Sequence, residues 1–222
     1  MKKHMLILSV ALSLTLAVAG CSNSVETHRS QGVYMLLDTS GTYTEELVKA
    51  QGILNYLLGS LEPGDSLAVA RIDSGSFSEK DIVARVIFDD RPSVANEQKR
   101  RFKQEMDNFV KNVHSSSHTD ITGGLLQASE WLNESGVGTK RVLIFSDLEE
   151  DLAKGHIRDF PIELGGVQVV ALNVTKLRSD NVDPREYLDR LSSWQSRVVS
   201  GGGSWSVIND LERLERIFAK PA

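Results

Sequence analysis

Five consecutive residues, Val33-Tyr34-Met35-Leu36-Leu37, are largely apolar and stop abruptly at Asp38; nothing else in the chain narrows the fold as much. A run without polar alternation leaves no face for water, so it predicts a strand covered on both sides, the situation of a sheet between two layers of helices. The chain continues Thr39-Ser40-Gly41-Thr42-Tyr43-Thr44 before a helical pattern begins. Residues just past the carboxyl end of such a strand lie where open α/β sheets bind ligands. Asp38, Ser40 and Thr42 place one carboxylate and two hydroxyls on a single tight turn, an all-oxygen half-shell suited to a hard cation such as Mg²⁺.

The remaining pattern extends the same architecture. Leu47, Ala50, Ile53, Leu54, Leu57, Leu58 and Leu61 recur at helical spacing until Pro63-Gly64. Thr42 with Glu45 also fits a capping box, which would make Thr42 a helix cap rather than a ligand. Two apolar segments, 66–72 and 81–88, are separated by a turn-rich link too short for a crossover helix, so they are expected to pair antiparallel at an edge. Phe102, Met106, Phe109, Val110 and Val113 mark a helix, with Lys99, Arg100, Arg101 and Lys103 read as its solvated start rather than a binding patch. The polar stretch 115–120 leads into a helix carrying Leu125, Leu126, Ala128, Trp131 and Leu132. A second apolar strand, Val142-Leu143-Ile144-Phe145, ends at Ser146-Asp147, and a third covers 167–174. An amphipathic helix begins near Pro184, with Tyr187, Leu188, Leu191, Trp194 and Val198 on its apolar stripe. Gly201-Gly202-Gly203 breaks it before a short strand at 205–208 and a last helix with Leu211, Leu214, Ile217 and Phe218. The expected fold is one doubly wound α/β domain over 32–222, with a mostly parallel central sheet, one antiparallel edge hairpin and helices on both faces.

The first twenty residues are expected to stand outside that domain. Lys2, Lys3 and His4 precede a run that is apolar except for Ser9, Ser13 and Thr15, the anatomy of a secretory signal and short for a stable membrane span. Leu16-Ala17-Val18-Ala19-Gly20-Cys21 resembles the lipobox of bacterial lipoproteins. That resemblance implies acylation (palmitate) of Cys21 as the new amino terminus, with Ser22 pointing to the outer membrane; an ordinary signal cleaved nearby is the alternative. Cys21 is the only cysteine, so the domain holds together without an intrachain disulfide. Residues 22–31 are polar and aperiodic and read as a tether, at most about 35 Å long and averaging roughly 17 Å. Removing Lys2 and Lys3 takes the formal net charge from −5 to −7. Without a basic block, such a chain argues against a nucleic-acid partner and against adsorption to anionic lipid.

Three strand ends or loops offer oxygen ligands: Asp38-Thr39-Ser40-Gly41-Thr42, the Thr119-Asp120-Ile121-Thr122 loop, and Ser146-Asp147. With these in hand, the chain resembles a von Willebrand factor type A domain. That family carries a metal-ion-dependent adhesion site written D-x-S-x-S, with a threonine on a second loop and an aspartate ending the next parallel strand. The matching residues are Asp38, Ser40, Thr42, Thr119 and Asp147, in the family's order, over roughly 32–220. The resemblance implies a Mg²⁺ site (or Mn²⁺ or Ca²⁺) that recognises an acidic residue of a partner protein, and no catalysis. Two departures stand out: Thr42 replaces the usual serine, and Leu148, followed by Glu149, Glu150 and Asp151, stands where the family commonly has glycine. The reading is thus a membrane-anchored, metal-dependent protein-binding module of the bacterial cell envelope.

Two other classes compete with it. One is the same fold as a scaffold without metal, since aspartate and serine at strand ends often cap the following helix. The other is an enzyme, because residues 38–44 also look like the nucleophile loop of haloacid-dehalogenase-type phosphatases, with Mg²⁺ offsetting charge at phosphorus. Those enzymes place a general-acid aspartate two residues after the nucleophile, and Ser40 cannot transfer a proton near neutral pH. His114 and His118 are four apart, but Ser115-Ser116-Ser117 between them predicts a loop rather than a zinc face. Trp131, Trp194 and Trp205 are expected in the core rather than on a ligand platform.

Overall fold

Residues 33–37 are each completely shielded from water, as an unbroken apolar run requires. They form the middle of β1 (Gln31–Asp38) in a computed structural model that describes residues 30–73, 78–210 and 214–218. The expected leader, Cys21, the tether up to residue 29 and part of the hairpin link lie outside the described residues, as do the side chains of Thr42, Thr44 and Glu45. After β1 come α1 (Leu47–Ser60), β2 (Ser66–Ile72), β3 (Ile82–Ile87), α2 (Pro92–Asn112), α3 (Ile121–Glu134) and β4 (Thr139–Phe145). Then follow β5 (Val167–Leu172), α4 (Pro184–Ser200), β6 (Ser204–Ile208) and α5 (Leu214–Phe218). Among the described residues no helix is long and apolar enough to cross a membrane.

The six strands form one sheet in the order β3-β2-β1-β4-β5-β6. All neighbours are parallel except β2 and β3, which pair antiparallel as expected for the edge hairpin. Order reverses between β1 and β4, where Leu37 is in register with Phe145, so the loops after these two strands diverge to opposite faces and leave a crevice. Alternation along β1 divides the core. Val33, Met35 and Leu37 pack with α1, α2 and α5, while Tyr34 and Leu36 pack with α3 and α4. Each such side chain stabilises the fold by about 1.5–3 kcal/mol relative to exposure.

The seating of α3 depends on Gly124. A Cβ there would lie 2.7 Å from Ile72 Cγ2 and 3.0 Å from Leu36 Cδ2, so only glycine lets the helix come this close to β1 and β2. Its neighbour Gly123 makes room for the Asp120 carboxylate, which caps the helix by accepting from Gly123 N at 2.7 Å. This close approach brings the preceding loop to the carboxyl end of the sheet.

Two local expectations are corrected. The helix α2 begins at Pro92, so Lys99, Arg100, Arg101 and Lys103 sit in its body rather than at its start. Residues 92–98 show little apolar periodicity because only Ala95 of that turn is buried. The basic cluster is largely neutralised: Arg100 and Arg101 face Glu97, Lys103 faces Asp107, and Lys99 donates to the Leu61 carbonyl beside the Phe88 ring. Likewise, α1 starts only at Leu47, behind a 3₁₀ turn over Gly41–Glu46, so a capping box at Thr42 does not sit at its first turn. Of the tryptophans, Trp194 is buried in the core, while Trp131 packs edge-on to Tyr34 and Trp205 is half-buried.

Candidate functional site

Asp38 is the last residue of β1 and is fully buried. Its Oδ1 accepts from the Ser40 amide at 2.8 Å, which closes the turn, and its Oδ2 accepts from the Ser146 hydroxyl at 2.6 Å. Ser146 follows β4, in the position next to Asp38 across the switch point, and its Oγ also accepts from Leu148 N at 3.0 Å. Burial pushes the Asp38 carboxyl above its ordinary value, against the pull of hydroxyls from Ser146, Ser40 and Thr119. One side chain from each of the three expected loops therefore reaches this carboxylate.

The loops are laced to one another through their backbones. Ser116 N donates to Thr39 O at 2.8 Å and Gly41 N to Ser116 O at 3.3 Å. Thr119 N donates to Asp151 O at 2.8 Å, and Asp151 N returns to Thr119 O at 3.0 Å. The loop before α3 thus bridges the β1 and β4 loops. Between them opens a cleft of about 450 Å³ lined by Ser40, Tyr43, Thr119 and Asp147, with Glu149 and Asp151 among its acidic rim residues. Tyr43 is fixed there edge-on to Phe145 at 5.2 Å and donates to Asn173 O at 2.7 Å.

Asp147 supplies the second carboxylate. Burial raises it to about 6, helped by the nearby charges of Asp38 and Glu149 and opposed by the Glu149 amide and by Arg190. Its Oδ1 accepts from Glu149 N at 2.9 Å. Among the described residues, no lysine or arginine hydrogen-bonds the carboxylate of Asp38 or Asp147. A buried and a half-buried carboxylate beside hydroxyls, with no paired cation, fit a hard divalent ion. Among the described residues no three His, Cys, Asp or Glu side chains converge around a metal position, so an ion here would depend on hydroxyls, main-chain oxygens or water for the rest of its shell.

Of the five residues singled out in the sequence, Asp38, Ser40, Thr119 and Asp147 are brought together; Thr42 has its backbone in the same 3₁₀ turn, and its side chain lies outside the described residues. The His114–His118 stretch is a loop, as its serines predict, with His118 Nδ1 3.4 Å from Asp151 Oδ2 at the cleft rim. Leu148 has φ 68, a left-handed backbone that explains why glycine suits this position. The leucine is accommodated because its side chain is buried, its N–H reaches Ser146 and its carbonyl accepts from Trp194 Nε1 at 2.9 Å. Sequence reasoning counted Ser146 with Asp147 as an oxygen-bearing strand end and missed that it holds Asp38; its place directly before Asp147 is the available signal.

Among solved structures, the chain is similar to a von Willebrand factor type A protein from Catenulispora acidiphila, with 14% identity and a TM-score of 0.50 over 86% of this chain and 41% of that one. It is also similar to the pilus adhesin SpaC from Lactobacillus rhamnosus GG in its open conformation, with 12% identity and a TM-score of 0.51 over 86% of this chain and 29% of that one. The chain spans less than half the length of either. No protein-family model matches the sequence, and neither does any curated protein. At these identities the likeness is one of fold: this is the von Willebrand factor type A fold, a mostly parallel six-stranded sheet with one antiparallel edge pair between layers of helices.

Proposed function

We propose that this chain is a divalent-metal-dependent protein-binding module, exported and held to the cell envelope through an acylated Cys21. The observation that carries the reading is the pair of carboxylates, Asp38 fully buried and Asp147 half-buried, gathered with Ser40 and Thr119 at the switch point without a paired cation among the described residues. These four residues, with Thr42, would hold Mg²⁺ or Mn²⁺. A bound ion of this kind supplies an electron-poor position that a carboxylate from another protein can fill.

The chain's own groups set the terms of that recognition. Burial keeps water from screening Asp38 and partly shields Asp147, so their charge is felt at the cleft mouth. The hydroxyls are neutral and add no charge of their own to the shell. Glu149 and Asp151 add negative charge to the rim, so a partner's carboxylate must arrive flanked by basic groups. Catalysis by phosphoryl transfer is disfavoured: Ser40 stands where a general acid is needed, and both Asp38 oxygens are engaged in hydrogen bonds. The same engagement favours the second reading, a metal-free scaffold.

Calorimetric titration with Mg²⁺ and Mn²⁺ separates the two. Saturable binding that disappears in Asp38→Ala is expected; no saturable heat in the wild-type protein leaves the scaffold. Capture of a partner from envelope extract with Mg²⁺, lost on adding chelator, tests the protein-binding half. Labelling with an alkyne fatty acid that fails in Cys21→Ala tests the anchor.

A further inference from the structure

The loop that presents Asp147 is gripped from behind by one stripe of α4. Arg190 Nε donates to the Asp147 carbonyl at 3.0 Å, and Trp194 Nε1, one turn further on, donates to the Leu148 carbonyl at 2.9 Å. A third residue on the same face, Arg197, reaches Glu150 Oε2 at 3.3 Å and Thr122 Oγ1 at 2.7 Å. Spacing of four and then three residues puts these side chains in a single row along the helix. Their targets in the loop follow in order, at residues 147, 148 and 150, and the guanidinium of Arg197 stacks 4.5 Å over the Trp194 ring.

Arg190 is itself held. Its Nη1 and Nη2 donate to Asp180 Oδ1 and Oδ2 at 3.2 and 2.7 Å, and the Asp180 side chain is wholly buried. Planar, two-point pairing of this kind fixes the direction in which the remaining Nε–H points, which a lysine cannot reproduce. The Trp194 bond meets a residue with positive φ, where the backbone of a leucine does not rest unaided. Two successive peptide units are therefore pinned; Asp147 opens the first of them, and its Oδ1 accepts at 2.9 Å from Glu149 N, the N–H of the second, so the direction of its side chain is tied to both.

We propose that Arg190 and Trp194 are positioning residues of the cleft: each captures one carbonyl of the 147–148 loop, and together they aim the Asp147 carboxylate at Asp38, with Asp180 aligning Arg190. This rests on the metal-binding reading for its consequence, because a carboxylate that swings away is lost to the ion. Outer groups that orient ligands in this manner commonly account for about 10–100-fold in metal affinity.

The test uses the full chain with Mn²⁺ alone, following the resonance of the free ion, together with hydrogen exchange of the loop amides. Two variants are chosen to spare the fold. Trp194→Phe removes the donor and retains most of the apolar bulk, and the double variant Arg190→Gln with Asp180→Asn removes both charges at once. Each is expected to weaken Mn²⁺ binding, the double variant by about tenfold or more, and to speed exchange at amides 148–150 while amides 143–145 inside β4 stay protected. Arg190→Lys is expected to restore little of either. Unchanged affinity and unchanged loop exchange overturn the proposal, as does protection lost evenly through β4 and α3, which marks a purely structural role. If the wild-type protein binds no Mn²⁺ yet the variants selectively free amides 148–150, the positioning stands and the metal reading falls.

Discussion

At the amino end of β1, Asp65 lies just before β2 and is nearly buried. Its carboxylate accepts from Gln31 N at 2.9 Å, Gln31 Nε2 at 3.2 Å and Glu62 N at 2.8 Å, and its charge helps keep the largely buried Arg141 guanidinium protonated. At the carboxyl end, Asp38 is just as buried and meets only hydroxyls and an amide, with its charge close enough to a second carboxylate to help raise Asp147. Two more aspartates sharpen the contrast: Asp120 is paired with Arg158 and Asp180 with Arg190, both at 2.7 Å. The chain thus has arginines available for buried acids and, among the described residues, places none on the carboxylate of Asp38 or Asp147. An acid compensated from within serves the fold; one left without a cation is free to take a cation from solution.

The largest expected effect comes from breaking a compensated pair. Asp180→Ala strands the Arg190 guanidinium and is expected to cost about 3–5 kcal/mol in a urea melt. Asp38→Asn should do the opposite without metal, leaving stability unchanged or higher at neutral pH while abolishing Mg²⁺ binding; a loss as large as that of Asp180→Ala would erase the distinction.

Acidity offers a finer probe. The Asp147 carboxyl is raised to about 6 in the folded protein, so folding favours its protonated form. Stability from this source is present below about pH 4 and is lost as the pH rises through 6, on the order of 2 kcal/mol in the chelated protein. Added Mg²⁺ should remove that decline by binding the ionised form, measurable as a melting temperature that rises with Mg²⁺ at pH 7 and barely at pH 4.5.

Smaller still is Leu148→Gly. Relief of the left-handed backbone returns about 1–2 kcal/mol, and the lost burial removes about 1.5–3 kcal/mol, for a net loss of about 1 kcal/mol by denaturation. At the bottom of the scale, Glu97→Gln touches only exposed pairs with Arg100 and Arg101 and should shift stability by less than about 0.5 kcal/mol.

How much of this was legible depended on whether a residue's role is local. The strands β1, β4 and β5 announce themselves as unbroken apolar runs, and the hairpin follows from a link too short to cross over. The oxygen-bearing turns are visible because each directly ends a strand or precedes a helix. What stayed hidden is long-range. Ser146 reads as an ordinary strand end until β1 and β4 are laid side by side. Arg190 and Arg197 look like solvent-facing charges on an amphipathic helix, because periodicity separates apolar from polar but says nothing of a partner 43 or 47 residues earlier in the chain. Asp180 lies in a polar loop that gives no hint of being buried.

The lacing of Thr39 and Gly41 to Ser116, and of Thr119 to Asp151, uses only main-chain amides and carbonyls. Of the side chains on those same segments, Ser117 is exposed and Ser115 adds only a long hydrogen bond, from its Oγ to Gly41 O at 3.4 Å. Frame and lettering are thereby uncoupled: the identities around the mouth can be rewritten, one residue at a time, to suit a different visitor while the seam beneath keeps its shape.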